Sequence, residues 1–263
     1  MRRPDDWIGH DLGRRRVSWT DRDAILYALS VGACADRLDL VFEERLRVLP
    51  AFALTLAQWA PDALGAAGAF DPTRAVHGSQ RLEMKAPLPA SGDLEMSARV
   101  TGVWDKSAGA VFDVEVASDH FVATWSILAL GRGGFGGDRG PVRPPDPVEE
   151  AAWSTVVEIP ANAAALYRLN GDRHQIHIDP AAAAAIGQPR PILHGLATLA
   201  LASLAVAEQT SRHPADMVLL EGRFSSVVFP GEAVTVEGWA NGGFRVSTAR
   251  GVAIAGGRCA FTA

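Results

Sequence analysis

The sequence predicts an α+β protein built from two copies of one antiparallel unit, and three observations carry that prediction. Strand-like runs with alternating apolar residues recur in the same order in the two halves of the chain. Each half also places a histidine–glycine pair ahead of a strand–turn–strand pattern: Ala75-Val76-His77-Gly78 in the first, Ile192-Leu193-His194-Gly195 in the second. One segment, Gly195–Glu208, is apolar on nearly every side, so a helix there must be buried and wrapped by a sheet. Repetition at this spacing gives two α+β units rather than a solenoid.

The elements follow in order. Thr20 supplies an N-cap hydroxyl and Asp21 and Asp23 an acidic first turn; Ile25, Leu26 and Leu29 continue at helical spacing until Gly32. The turn 87–92 precedes an alternating run at 93–104, and two further strands are expected at Ala110–Ala117 and Phe121–Leu130. Residues 132–150 concentrate glycine, proline and charge, and divide an N-terminal unit, 1–140, from a C-terminal unit, 150–263. Within that boundary Gly131–Gly136 matches a dinucleotide-binding fingerprint in form. The prolines that follow cannot open the helix such a site needs, so a flexible exit from a strand is the better reading. In the second half, Ala152–Ile159 reads as a strand, and Asp179-Pro180 caps a short alanine-rich turn at Ala181–Ile186. After the buried helix come the turn 228–231, an alternating run at 232–239, and strands at Phe244–Thr248 and Val252–Thr262.

Composition narrows the class of protein. Against 25 basic residues stand 30 acidic ones in a chain of 263, a net charge of −5. This argues against nucleic acid or an anionic membrane as the main partner, because both require concentrated positive charge. Cys34 and Cys259 are too few for a disulfide framework and read as reduced thiols. No apolar run follows Arg2 and Arg3, and the stretch Gly195–Ala207 falls short of the roughly 18 residues that span a bilayer. A cytoplasmic location is expected.

The densest polar constellation lies between Tyr167 and Pro180. Gly171 lets the backbone turn, and Asp172 and His177, five residues apart, converge if it does. A carboxylate beside an imidazole can hold a water molecule and divide proton removal and delivery between them. The second partner is Gly195, at the mouth of the buried helix. Its N–H belongs to an uncapped, partially positive helix end and has no side chain to block a carbonyl that needs polarising. The plainer alternatives are a turn-capping Asp172 and a core His177. Asp172, His174, His177 and Asp179 are also crowded metal-ligand types, but no His-Glu-x-x-His spacing or cysteine cluster accompanies them, and no metal is expected. Neither cysteine has a nucleophile's surroundings, and no Gly-x-Ser-x-Gly elbow occurs.

These residues resemble a known signature. Tyr167–Pro180 followed by Pro191-Ile192-Leu193-His194-Gly195 is similar to the hydratase 2 motif of the MaoC-like (R)-specific 2-enoyl-CoA hydratases. That motif runs Tyr-x-x-x-Gly-Asp-x-Asn-Pro-x-His-x-Asp-Pro, then Pro-x-x-His-Gly. Runs in the first half (Asp23–Ala33, Val48–Phe52, His77–Gln80, Asp105–Ala110, Gly133–Gly137), with Arg223-Phe224 and Phe229-Pro230-Gly231, extend the likeness over nearly the whole chain. The resemblance implies a double hot-dog fold of two antiparallel sheets, with a full central helix in the C-terminal repeat alone. The N-terminal repeat then makes room for an acyl chain.

It further implies reversible hydration of a trans-2-enoyl-CoA to (3R)-3-hydroxyacyl-CoA without a cofactor. Asp172 and His177 act as the acid–base pair and Gly195 binds the thioester oxygen. His77, Gly78, Lys106, Arg173, His174 and Phe224 line the acyl-CoA thioester. A homodimer is expected by analogy. The chain departs from the motif at His174-Gln175, where the family has Asn-Pro, and it ends in Cys259-Ala260-Phe261-Thr262-Ala263 rather than the Ser-Lys-Leu of peroxisomal relatives. The altered loop keeps two other functions in view, a non-catalytic acyl-CoA-binding subunit and, less favoured, a hot-dog thioesterase.

Overall fold

Alternation of buried and exposed side chains governs the strands. In the computed structural model, which describes residues 2–142 and 149–262, Phe121, Ala123, Trp125, Ile127 and Ala129 are buried, while the residues between them are half-buried. Ala110, Phe112, Val114 and Val116 repeat the pattern one strand away. One face of the sheet thus covers the core, as period-two alternation requires.

The strands are β1 (Asp11–Trp19), β2 (Ala75–Met84), β3 (Gly92–Asp105), β4 (Gly109–Ala117), β5 (Phe121–Leu130), β6 (Trp153–Glu158), β7 (Met217–Phe224), β8 (Ala233–Gly238), β9 (Gly243–Thr248) and β10 (Gly251–Phe261). They form a sheet in the order β1-β3-β4-β5-β2-β7-β10-β9-β8-β6. Read inward from its ends, the order is the same: β1, β3, β4, β5, β2 from one side and β6, β8, β9, β10, β7 from the other. The repeat is therefore real, but two of its expected features change. The two sheets are one, because β2 pairs antiparallel with β7 from Ser79–Arg223 to Glu83–Leu219. Pairing there satisfies backbone groups that two free, buried edges would leave unbonded. The histidine–glycine pairs are not equivalents: His77-Gly78 sits in β2, at a register slip between His77 and Ser79, whereas His194-Gly195 opens a helix.

The helices are α1 (Asp21–Ser30), α2 (Leu38–Val41), α3 (Ala53–Ala57), α4 (Trp59–Ala66), α5 (Ala163–Tyr167), α6 (Pro180–Ala185) and α7 (Gly195–Gln209). Thr20 and Asp23 form a reciprocal capping box at the start of α1. Almost all of α7 is buried against β6, β7, β8 and β10. A Cβ on Gly222 of β7 would come within 2.9 Å of Leu199 and Ile254, so glycine is what lets the helix approach that strand. The corresponding place in the first half, between β1 and β2, holds the shorter α3 and α4, which pack on β1, β4 and β5. The full central helix thus occurs in the second half alone, as expected.

The glycine-rich boundary is held rather than loose. The Asp105 carboxylate accepts hydrogen bonds from the N–H groups of Ser107, Gly134 and Gly136 at 2.8–2.9 Å. Its carboxyl is kept below the usual range chiefly by those bonds. Residues 143–148 of the boundary lie outside the described residues. Among the described residues no helix is long and apolar enough to cross a membrane.

Candidate active site

The loop after α5 carries the site, and its backbone is fixed by local bonds. Tyr167 ends α5, the turn Arg168–Asn170 follows, and Gly171 adopts φ 129°, where a side chain would be strained. Asn170 ties the loop to α1, donating to Ser30 Oγ at 3.0 Å and to the Tyr167 carbonyl at 2.9 Å. Asp172 Oδ1 accepts from the His174 N–H at 3.1 Å. A second turn, Gln175–His177, then swings His177 inward to 8% exposure.

Asp172 and His177 do converge, and a third group joins them. A carboxylate oxygen of Asp172 and ring nitrogens of His177 and His194 all lie within 4.8 Å of one another. His177 Nδ1 faces the Ile192 carbonyl at 2.9 Å. That carbonyl can only accept, so Nδ1 carries the proton and Nε2 is left with a lone pair. Burial holds the His177 ring below the ordinary imidazole range, with the Ile192 bond and the Asp172 charge working against it. The resting pair is therefore a carboxylate next to a neutral imidazole.

Gly195 is the first residue of α7, and its N–H is among those that no intrahelical carbonyl can reach. A Cβ at this position would meet the Phe224 ring at 3.0 Å. Phe224 in turn stands edge-on to His77, with ring centroids 4.7 Å apart. His77 is pushed down to about 4, mainly by burial, and its Nε2 has no hydrogen-bond partner among the described residues. His77, Phe224 and Gly195 thus form one wall. Gly78 lies beside it in the β2 irregularity, where a Cβ would approach the Ser126 carbonyl to 3.2 Å. Arg173 and His174 are exposed on the loop. Lys106 lies farther off, in the β3–β4 turn, where its Nζ donates to the Arg139 carbonyl. A small, narrow cleft opens at Asp172, lined by Thr55, Gln58, Tyr167, Asn170 and Leu196 as well.

Of the four residues suspected of metal ligation, Asp172 and His177 are brought together, while Asp179 is not. Asp179 caps α6 instead, accepting from the Ala181 N–H at 2.8 Å. His194 takes its place in the cluster, but its ring lies flat on His177, with centroids 3.6 Å apart and planes inclined by 22°. An imidazole ligates along its ring plane at about 2.0–2.1 Å. An ion in the plane of one of these rings would lie well out of the plane of the other, so the pair is badly disposed to share one.

Sequence reasoning missed the role of the His194 ring and of Thr55 and Gln58. Nothing local marks Thr55 and Gln58, which sit in a long apolar stretch. In the sequence, the His194 ring has no mark beyond its place next to Gly195.

Comparison with known proteins identifies the family. Residues 17–124 match the MFE-2 hydratase 2 N-terminal domain, and residues 140–256 match the MaoC-like domain. The chain is 37% identical over 253 residues to the enoyl-CoA hydratase ChsH3 of Mycobacterium tuberculosis, covering 89% of this chain and 88% of that protein. It is 38% identical over 241 residues to 3-hydroxyacyl-thioester dehydratase Y of the same organism, covering 84% and 82%. A MaoC-like dehydratase from Phytophthora capsici superposes with a TM-score of 0.88 at 24% identity, over 100% of this chain and 98% of that one, which speaks for the fold alone. Two halves matched in order, and relatives this similar over most of both chains, mean that the protein belongs to the MaoC-like 2-enoyl-CoA hydratase (hydratase 2) family.

Proposed function

We propose that this enzyme adds water across C2–C3 of a trans-2-enoyl-CoA thioester to give a (3R)-3-hydroxyacyl-CoA, and catalyses the reverse dehydration. The observation that carries the reading is the free Nε2 of a neutral His177 beside the Asp172 carboxylate, close to the open N-terminus of α7. A water held between them has an acceptor for each of its hydrogens. As its oxygen bonds to C3, one O–H bond breaks and the pair takes the proton. The C2–C3 π electrons move toward the thioester oxygen, where the Gly195 N–H stabilises the enolate charge. The pair then returns a proton to C2 and the carbonyl reforms, so water is consumed and the enzyme is regenerated.

His77, Gly78, Arg173, His174 and Phe224 line the CoA thioester in this reading, supported by the wall that His77 and Phe224 build against Gly195. Lys106 is assigned to the CoA end. Strand register supports this: Val103, Phe112, Ile127 and His77 align across four strands, which puts the β3–β4 turn at the His77 end of the sheet. The C-terminal unit, 150–263, supplies the chemistry, while the N-terminal unit, 1–140, receives the acyl chain; Thr55 and Gln58 in the cleft support that division. We also assign a homodimer in the cytoplasm. Among the described residues the outer strands β1 and β6 each have a neighbour on one side only, and Val156 on β6 is 64% exposed. A solution mass near twice 27.8 kDa supports the dimer and a monomer mass removes it; cell fractionation tests the location.

The test follows loss of the enoyl-thioester absorbance with purified protein, with chiral analysis of the product and a thiol reagent for free CoA. Formation of the (3R) alcohol without thiol release is expected. Release of thiol would favour a thioesterase, and calorimetric binding without turnover a non-catalytic subunit.

A further inference from the structure

Beside the acid–base pair lies a buried histidine that the proposed reaction does not use. His194 is 2% exposed and stands at the N-cap position of α7, with no capping bond from its side chain. Its Nε2 lies 3.1 Å from the backbone carbonyl of Asp172, 22 residues earlier in the chain. A carbonyl only accepts, so Nε2 carries the proton, and the remaining Nδ1 is a buried lone pair with no partner among the described residues. One face of the ring lies on His177, and Tyr167 packs against it with centroids 4.7 Å apart. Merely filling the space would be better done by an apolar ring, which leaves no buried nitrogen unbonded. An apolar ring has nothing to offer Asp172.

We propose that His194 is the positioning residue of the catalytic pair, holding Asp172 by its backbone and His177 by its ring face. Asp172 follows Gly171, whose φ of 129° suits glycine, and its carboxylate bonds locally to the His174 N–H, so the bond from His194 is what ties this point of the loop to α7. His177 is fixed at Nδ1 by Ile192, and His194 limits rotation of the ring about that bond. Both contacts come from the residue that also starts the helix bearing Gly195. Base, carboxylate and oxyanion donor therefore share one rigid support.

The arrangement also sets charge. Two stacked rings cannot both be cationic at 3.6 Å. Burial and the neighbouring His177 hold His194 below the ordinary imidazole range, with Arg168 adding to this and Asp172 opposing it. His177 is faced by Asp172, His174 and His194, and Tyr167 completes the surroundings of the stack. A proton arriving at the site is thereby directed to His177.

This inference rests on the hydratase reading, and its test separates the two. His194→Phe keeps a ring over His177 but removes the donor to Asp172. Its kcat should fall about 10²-fold, with KM within about twofold and the acid limb of the pH profile unmoved, since misplacing a catalytic group by about 1 Å costs that much. His194→Gln carries an amide N–H to the place of Nε2 but uncovers His177. Its acid limb should move up toward the ordinary imidazole value of about 6.5. Should neither variant fold, ¹⁵N NMR of the wild-type histidines decides: His194 is expected as the neutral Nε2–H tautomer while His177 protonates. Wild-type kcat and pH profile in both variants, or an Nδ1–H tautomer at His194, would overturn the proposal. A wild-type protein that fails to hydrate any enoyl-CoA would instead overturn the hydratase reading.

Discussion

Gly195→Ala is the substitution whose effect follows most directly from the geometry. The added methyl would sit 3.0 Å from Cδ1 and Cε1 of Phe224, against an ordinary carbon–carbon contact of roughly 3.5–4.0 Å. Phe224 packs against the core and against the His77 ring, with centroids 4.7 Å apart, so it has little room to swing aside. Overpacking of this kind costs about 1–3 kcal/mol in a fixed core. Alanine in place of glycine in a helix returns up to about 1 kcal/mol. Stability should therefore fall by no more than about 3 kcal/mol, and the protein should fold. Activity is affected more strongly. The methyl occupies the approach to the Gly195 N–H, so the thioester oxygen loses its donor. Removal of one such donor costs about 10²–10³ in kcat, or about 2.7–4 kcal/mol of transition-state stabilisation. The assay is loss of enoyl-thioester absorbance, paired with scanning calorimetry on the same sample. A variant with wild-type kcat/KM and unchanged Tm would show that nothing binds at this helix end and would refute the oxyanion assignment.

Two further predictions concern pH. His177 must be neutral to take a proton, and burial holds it below the ordinary imidazole range, so kcat/KM should be flat through neutrality and fall only on acidification below about pH 6.5. A fall beginning at or above pH 7 contradicts the assignment. Stability should fall in two stages on acidification, read as Tm from pH 8 to pH 3. His77, His177 and His194 all bind protons more weakly folded than unfolded, so stability is lost as pH drops below about 6.5, where the unfolded histidines begin to charge. The second stage is shared by Asp39, which Arg37 foremost and then His213, at 2.6 Å, hold below the carboxylate range, and by Asp105, held down by the N–H groups around it. Their contribution is present above about pH 4 and lost below, and Asp39→Asn should shrink that stage while leaving the first in place.

How much was legible in the sequence depended on whether a residue's role was local. β3, β4 and β5 could be read because each has one face in the core and one toward solvent, and the alternation survives nearly end to end. β1, β2 and β7 could not. Arg14, Arg15 and Arg16 stand together on the outer strand β1, all exposed. At the seam, Gly78 breaks the period of β2 where its register slips against β5, and half-buried residues blur it in β7. Helices α3 and α4 vanish into the apolar stretch around Ala51–Leu64, where periodicity carries no signal. Asp172 and His177 were found because a turn of five residues brings them together. The His194 ring was not, because its bond to the Asp172 carbonyl and its stack on His177 exist only once α7 is packed beside the loop.

The most direct measurement is the turnover of Asp172→Asn on an enoyl-CoA that the wild-type enzyme hydrates. The substitution keeps the size of the side chain and an oxygen able to accept from the His174 N–H, and it removes the charge and the proton-accepting function. If the carboxylate shares in proton transfer, kcat should fall about 10²–10⁴-fold with the fold intact by circular dichroism. A variant that hydrates the thioester as fast as the wild type would contradict the account at its centre.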